Sequence, residues 1–382
     1  MSTINDYGEG GLKMIDLESM VKALRLAWLK RIFNENDGTW KRYLQHQLKT
    51  VGGLFFLNCN YDVKDYTFTS QFYRELLLWW SQFRDSFATD MNWTNIIWNN
   101  KEIRIDKKPI FYKNFYESGF IYIHDLRLDL NINDSFSYVS SKIGKISILQ
   151  WAGLRHSIPD FLKNTRDQIH PLTPSSLQIN NSIFDVKKKK SKDYYSLFVA
   201  KKSRPPNIVH KWKGDFNISD DLLKEAFILP HAVALESYVK AFQYKILNNI
   251  LYTNAKLCKI GFRADELCTF CETERETLYH LLYQCTYARQ FWNEFELYWH
   301  RLSNQMVHLT LENVLFGILS TSCPSHVLLN YFIIIGKLFL WDCRRTQIHP
   351  KIQGYQNTIA IKYNIERKIS KKKFYEKKWI FK

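Results

Sequence analysis

The sequence is poor in the residues that loosen a chain, with 14 glycines and nine prolines among 382 positions. That scarcity excludes low-complexity spacers and extended disorder as the main architecture. Acidic residues are also in short supply: 37 against 54 lysines and arginines, a net charge of +17. No apolar run reaches the roughly 20 residues that a membrane-spanning helix needs. The most apolar stretch, Val327 to Trp341, is broken by Asn330 and Lys337 and reads as a buried helix with no membrane partner. Met1 to Gly11 is polar and lacks the apolar core of a secretory signal, so the expected location is nuclear or cytoplasmic, not secreted. Seven cysteines, an odd number, argue against a disulfide framework and for a reducing compartment.

Catalytic signatures are missing as well. Gly8-Glu9-Gly10-Gly11 has neither a Lys-Ser or Lys-Thr ending nor a preceding strand, so it is no phosphate-binding loop. No nucleophile elbow and no His-Glu-x-x-His occurs. The single Asp-Asp pair, Asp220-Asp221, sits where a helix with acidic first-turn residues begins, not at a strand turn suited to two metals. No catalytic residue is expected, and the chain is not expected to be an enzyme by itself.

Apolar residues at 46 % and aromatics at 16 % are ample for packed cores. Their spacing predicts a mainly α-helical (α+β) fold. Leu17, Met20, Val21, Leu24 and Trp28 form one helical stripe that must dock on something, and further helical patterns cover Trp40 to Leu48 and Phe72 to Phe83. A small β element is expected near 100–125, with Ile103-Arg104-Ile105-Asp106 and Ile110-Phe111-Tyr112 flanking Lys107-Lys108-Pro109. A helix from Asp220 should stop at Pro230. Others should carry Leu235 to Ile250, Ala288 to Trp299, and about 325–345. Trp79, Trp80, Trp292 and Trp299 fall at core spacing and are assigned to packing. The expected division is 1–50, a helical segment; 51–162, a mixed α/β domain; 163–215, a basic linker or loop; 216–300, a zinc-binding helical domain; and 301–382, a helical segment with a basic tail.

The sharpest motif is Cys268-x2-Cys271-x8-His280-x4-Cys285. A Cys-x2-Cys turn aims two sulfurs at one point, and a following His and Cys complete the tetrahedron that Zn²⁺ prefers. Four protein ligands leave no position for water or substrate, so one structural zinc is expected. Thr273 and Glu276 have capping-box spacing and predict a helix that presents His280. His280 and Cys285 lie five apart, roughly 140° around a regular helix. The helix must therefore loosen or end before Cys285.

The positive charge is concentrated. Asp185 to Arg204 holds eight basic and two acidic residues, and Lys362 to Lys382 holds nine and two. Lys187, Lys188, Lys189, Lys190, Lys201, Lys202, Arg204, Lys371, Lys372 and Lys373 are the candidate contacts to nucleic-acid phosphates. The same runs could equally be solvated or act as nuclear-import signals.

With these residues in view, the chain resembles the C-terminal part of a non-LTR (LINE-type) retrotransposon reverse transcriptase, including its reverse-transcriptase zinc-binding domain. The likeness rests on Phe242-Gln243, Ile246-Leu247, Asn254, the cysteine pair, Glu276-Thr277-x2-His280-Leu281, Cys285 and Phe291-Trp292. Gly10-Gly11-Leu12-x-Met14-x-Asp16 and the Trp28 helix resemble the segment after the polymerase thumb. Trp98-Asn99-Asn100-x2-Ile103 with Gly119 resembles the region between. The resemblance implies a part of an enzyme that copies element RNA into DNA, a part that helps hold RNA or DNA. The polymerase palm and the endonuclease would lie before Met1, and an upstream polymerase region is an expected partner if the chain belongs to a longer one. The rival expectation is a zinc-pinned structural or protein-interaction module that binds no nucleic acid.

Overall fold

The computed structural model describes residues 3–34, 38–163, 175–319, 325–369 and 378–379. Helices dominate, joined by two small antiparallel hairpins, so the chain is mainly helical with a small β element. It divides into two compact units, Asp16–Lys201 and Met1–Ile15 with Lys202–Lys382. The second unit is thus built from two separate stretches of sequence.

In the Asp16–Lys201 unit, the first helix runs Leu17–Leu26, and its N-terminus is capped by the Asp16 side chain, which accepts from Ser19 N. The face it buries is Ser19, Ala23 and Leu26. Leu17, Val21 and Leu24, expected on the docking stripe, are exposed instead. The Gln71–Phe87 helix decides this orientation: Arg25 lies over the Phe72 ring and pairs with Glu75 at 2.8 Å, which turns the apolar stripe outward. Gln71–Phe87 sends Tyr73, Leu76, Leu77, Trp80 and Phe83 into the core. Arg84 is buried with them. It donates to the Cys59 carbonyl at 2.7 Å, and Tyr61, Trp80 and Trp93 surround its guanidinium.

Trp98, Asn99 and Asn100 form a buried brace. Trp98 donates to the Phe120 carbonyl, Asn99 to the Val51 carbonyl, and Asn100 to the Thr94 and Ile96 carbonyls. The side chains thereby satisfy loop carbonyls that no helix or strand would pair. The expected β element is a minimal hairpin, Arg104–Ile105 with Lys108–Pro109. Its turn is Asp106-Lys107, both at positive φ, the two-residue geometry that matches strand twist.

The expected basic linker over 163–215 is corrected by the structure. Its described part carries the hairpin Ser176–Ile179 with Ser182–Asp185, then helices Ser191–Lys202 and Ile208–Phe216. Asn180-Asn181 makes the hairpin turn, again with both residues at positive φ. Leu177, Ile179 and Phe184 are buried, so the hairpin anchors itself with three apolar side chains.

In the second unit the Asp220–Val233 helix passes through Pro230 rather than stopping there. Pro230 sits in the last turn, so a single helical hydrogen bond is lost, and its own carbonyl still accepts from Ala234 N. The Ser325–Thr346 helix forms the centre of the unit, with Tyr331 to Ile335 all at or near zero exposure. The window His326–Thr346 is long and apolar enough to cross a membrane, and 67 % of it is buried within the protein. The Thr286–Ser303 helix packs on it through Phe291 and Trp292. Gly336 permits that approach, because a Cβ there would sit 2.8 Å from the Trp292 indole.

Candidate metal centre

The segment 267–276 is a tight hairpin. A bridge pairs Leu267 with Arg275, and Cys268 N donates to the Glu274 carbonyl at 2.8 Å. Glu272, at φ +55°, closes the knuckle by donating to the Cys268 carbonyl. The Phe270 amide points at Cys268 Sγ, 3.4 Å away. This backbone path brings Cys268 and Cys271 to one side of the turn.

The expected capping box at Thr273 and Glu276 is not formed, since the hairpin occupies those residues. The cap is Thr277, whose hydroxyl accepts from His280 N at 3.1 Å. Glu276 is fully buried and serves a different purpose. Its carboxylate accepts from Asn254 N, Thr269 N and the Thr269 hydroxyl, and pairs with Arg344 at 2.9 Å. It ties the knuckle to Asn254 on one side and to the Ser325–Thr346 helix on the other.

His280–Gln284 is a π-turn in which Cys285 N donates to the His280 carbonyl at 2.8 Å. The expected loosening takes this form. A bond from residue i to i+5 stacks Cys285 above His280, where a regular helix would have swung it away. Cys285 itself has left helical geometry, at φ −56° and ψ +136°.

All four ligand atoms lie within 4.8 Å of one another. Cys268 Sγ is 3.9 Å from Cys285 Sγ, and Cys271 Sγ is 3.3 Å from His280 Nε2. A tetrahedral Zn²⁺ with ordinary bond lengths places sulfurs about 3.8 Å apart and sulfur about 3.6 Å from nitrogen. Cys268, Cys271, His280 and Cys285 form a zinc site on this geometry. Glu274 Oε2 lies 3.1 Å from His280 Nδ1, which orients the ring so that Nε2 faces the metal. The hydrogen bond between Cys268 and Cys285 lowers the proton affinity of the Cys285 thiol and raises that of Cys268. Zinc binds thiolates, so its binding displaces the cysteine protons. With four protein donors the site closes on the metal and fastens the hairpin to the π-turn.

The described basic residues expected to touch nucleic acid fall in both units. Lys187, Lys188 and Lys190 are exposed on the Asp16–Lys201 unit, while Lys189 lies over Phe184 and Lys201 over Phe87. Lys202 and Arg204 belong to the other unit, where they line a cleft of about 660 Å³. Lys371, Lys372 and Lys373 lie outside the described residues. Sequence reasoning missed a second basic cleft of about 230 Å³ beside the zinc hairpin, lined by Lys211, Lys256, Lys259 and Arg275. Lys256 and Lys259 sit at helical spacing, a signal present in the sequence. Lys211 and Arg275 come from distant positions, and only the fold brings them there.

The family model described as zinc-binding in reverse transcriptase matches residues 230–292, a span that contains the four ligands and Glu276. No curated protein matches the chain.

Proposed function

We propose that the protein is the nucleic-acid-holding, zinc-stabilised C-terminal part of a non-LTR (LINE-type) retrotransposon reverse transcriptase, with no polymerase or endonuclease site of its own. The observation that carries this reading is a reverse-transcriptase zinc module, matched over 230–292, inside a chain of net charge +17. The zinc keeps the module folded, and lysines and arginines around it contact phosphates of RNA or DNA. The site of action in this reading is the nucleus or the cytoplasm, and an upstream polymerase region is the natural partner.

Titration of single-stranded RNA at several salt concentrations tests the reading. Affinity should fall as salt rises, with a log–log slope of about −0.7 for each phosphate contacted. No binding at low salt, or binding indifferent to salt, would overturn it.

A second reading, a zinc-pinned protein-interaction module, is favoured by one feature. Leu17, Val21 and Leu24 leave an exposed apolar stripe on the Leu17–Leu26 helix. Failure to bind RNA, with folding intact, would favour this second reading.

A further inference from the structure

The two basic clefts are joined by a short rib of chain. Asn249 and Ile250 line the larger cleft, and Asn249 and Thr253 line the smaller. The rib is held rigidly. Asn249 adopts the left-handed conformation at φ +48°, where asparagine is among the few tolerated residues. Both its carbonyl and its side-chain oxygen accept from Lys256 Nζ. Leu251 and Thr253 are buried, at 4 % and 1 % exposure. Tyr252 between them is 61 % exposed, and among the described residues its ring has no stacking or hydrogen-bond partner.

No aspartate or glutamate lines either cleft. Among the described residues Lys211, Lys256 and Lys259 make no ion pair, Lys211 lies over the Tyr279 ring, and Arg275 is already paired with Glu266 at 2.7 Å. Burial, and then the charge of Lys211, hold the Lys256 ammonium below its ordinary pKa. Three lysines gathered without a carboxylate of their own are relieved by an anionic ligand. A rigidly presented aromatic ring at the junction adds a flat surface. Duplex bases are stacked on one another and cannot use such a ring, whereas unpaired bases can.

We infer that the Asn249–Thr253 rib is a binding site for single-stranded nucleic acid: Tyr252 stacks on one base, Lys211 and Lys259 receive phosphates in one cleft, and Arg204 receives one in the other. This rests on the nucleic-acid reading above and specifies where, and in which strand state, the ligand is held. It moves the principal contacts from the Lys187–Lys190 run to the neighbourhood of the zinc hairpin.

The test uses the full zinc-loaded chain, a labelled single-stranded RNA, the same sequence as a duplex, and polyglutamate as a non-nucleic polyanion. Tyr252→Ala should weaken single-strand binding on the order of ten-fold, with little change in salt slope and little effect on the duplex. Lys211→Gln with Lys259→Gln should flatten the salt slope by about 1.4. Lys256 is left in place because it clasps Asn249. Full zinc content and an unchanged far-ultraviolet circular dichroism spectrum establish that each variant is folded. The inference is overturned if folded Tyr252→Ala and Lys211→Gln/Lys259→Gln bind RNA as tightly as the parent. It is equally overturned if duplex or polyglutamate binding depends on Tyr252 to the same degree. Failure of the parent to bind any nucleic acid overturns the broader reading instead, so the two failures are distinguishable.

Discussion

At the scale of single residues, Glu276 carries as much of the metal centre's architecture as any ligand. A fully buried carboxylate is tolerable only when paired and hydrogen-bonded, and this one has Arg344, Asn254 and Thr269. Glu276→Ala would leave the Arg344 guanidinium, itself only 12 % exposed, without its carboxylate, with Asn254 Oδ1 as its remaining acceptor. The expected cost is about 3–5 kcal/mol. It should appear as a lower urea midpoint for the Lys202–Lys382 part, with the four ligands untouched in sequence. An unchanged midpoint would show that the network is not what anchors the knuckle. The ligands were legible in the sequence because their spacing is a local property of the knuckle and the turn. The role of Glu276 was not, because two of its partners, Asn254 and Arg344, lie 22 and 68 residues away and meet it only in the fold.

Lys337 poses the opposite case, a buried amine with no carboxylate partner among the described residues. It is fully buried and donates to Gln243 Oε1 at 2.6 Å, and desolvation lowers its pKa well below the ordinary value. In the unfolded chain its pKa is about 10.4. Between the lowered folded value and that figure the unfolded state binds more protons, so stability rises with pH across the window. Lys337→Met removes this dependence. The wild type should therefore gain stability relative to Lys337→Met as pH climbs from 7 toward 10, measured by urea midpoints at matched pH. A constant difference between the two proteins would rule out an uncharged buried amine.

At the scale of elements, the apolar periodicity revealed most helices but not their orientation or their ends. The Leu17–Leu26 helix was legible as a helix. Which face it buries was not, because Arg25, Phe72 and Glu75 decide it across fifty residues. The Ser176–Asp185 hairpin did carry a signal, Asn180-Asn181 between alternating apolar residues, but the adjoining lysine run suggested a solvated linker. The contact between Gly336 and Trp292 tests element packing directly. In an exposed helix, glycine to alanine stabilises by about 1 kcal/mol. Here the added Cβ would meet the Trp292 indole at 2.8 Å, and that ring is itself buried and bonded to the Leu282 carbonyl. Overpacking costs about 1–3 kcal/mol, which outweighs the gain in helix propensity. Gly336→Ala should lower the thermal midpoint. A raised midpoint would mean that the two helices separate freely at this crossing.

At the scale of the whole molecule, the division into units was the least legible feature. Nothing in composition marks a boundary near residue 15 or 201, and the charge run at 185–204 spans the second of these. The discontinuous unit exists because Asn5 reaches the Arg204 carbonyl at 2.7 Å and Tyr7 stacks on His231 at 3.6 Å. Each unit has its own buried core, with Trp80, Trp93 and Trp98 in one and Trp212, Trp292 and Trp299 in the other. The zinc ligands all lie in the second. Metal removal should therefore act on one core only. A structural zinc contributes on the order of 10 kcal/mol to local folding, comparable to the whole stability of an ordinary domain. Chelation should abolish hydrogen-exchange protection in the 254–299 region and lower it across the Ser325–Thr346 helix, through Arg344 and Glu276. Protection of the Gln71–Phe87 helix should persist, since its partners are Tyr61, Trp93 and Phe184 and none depends on the metal. Restoring Zn²⁺ should restore the lost protection. Equal loss in both cores on chelation would show that they fold as one cooperative body, and would remove the basis for treating the zinc as a fastener local to its own unit.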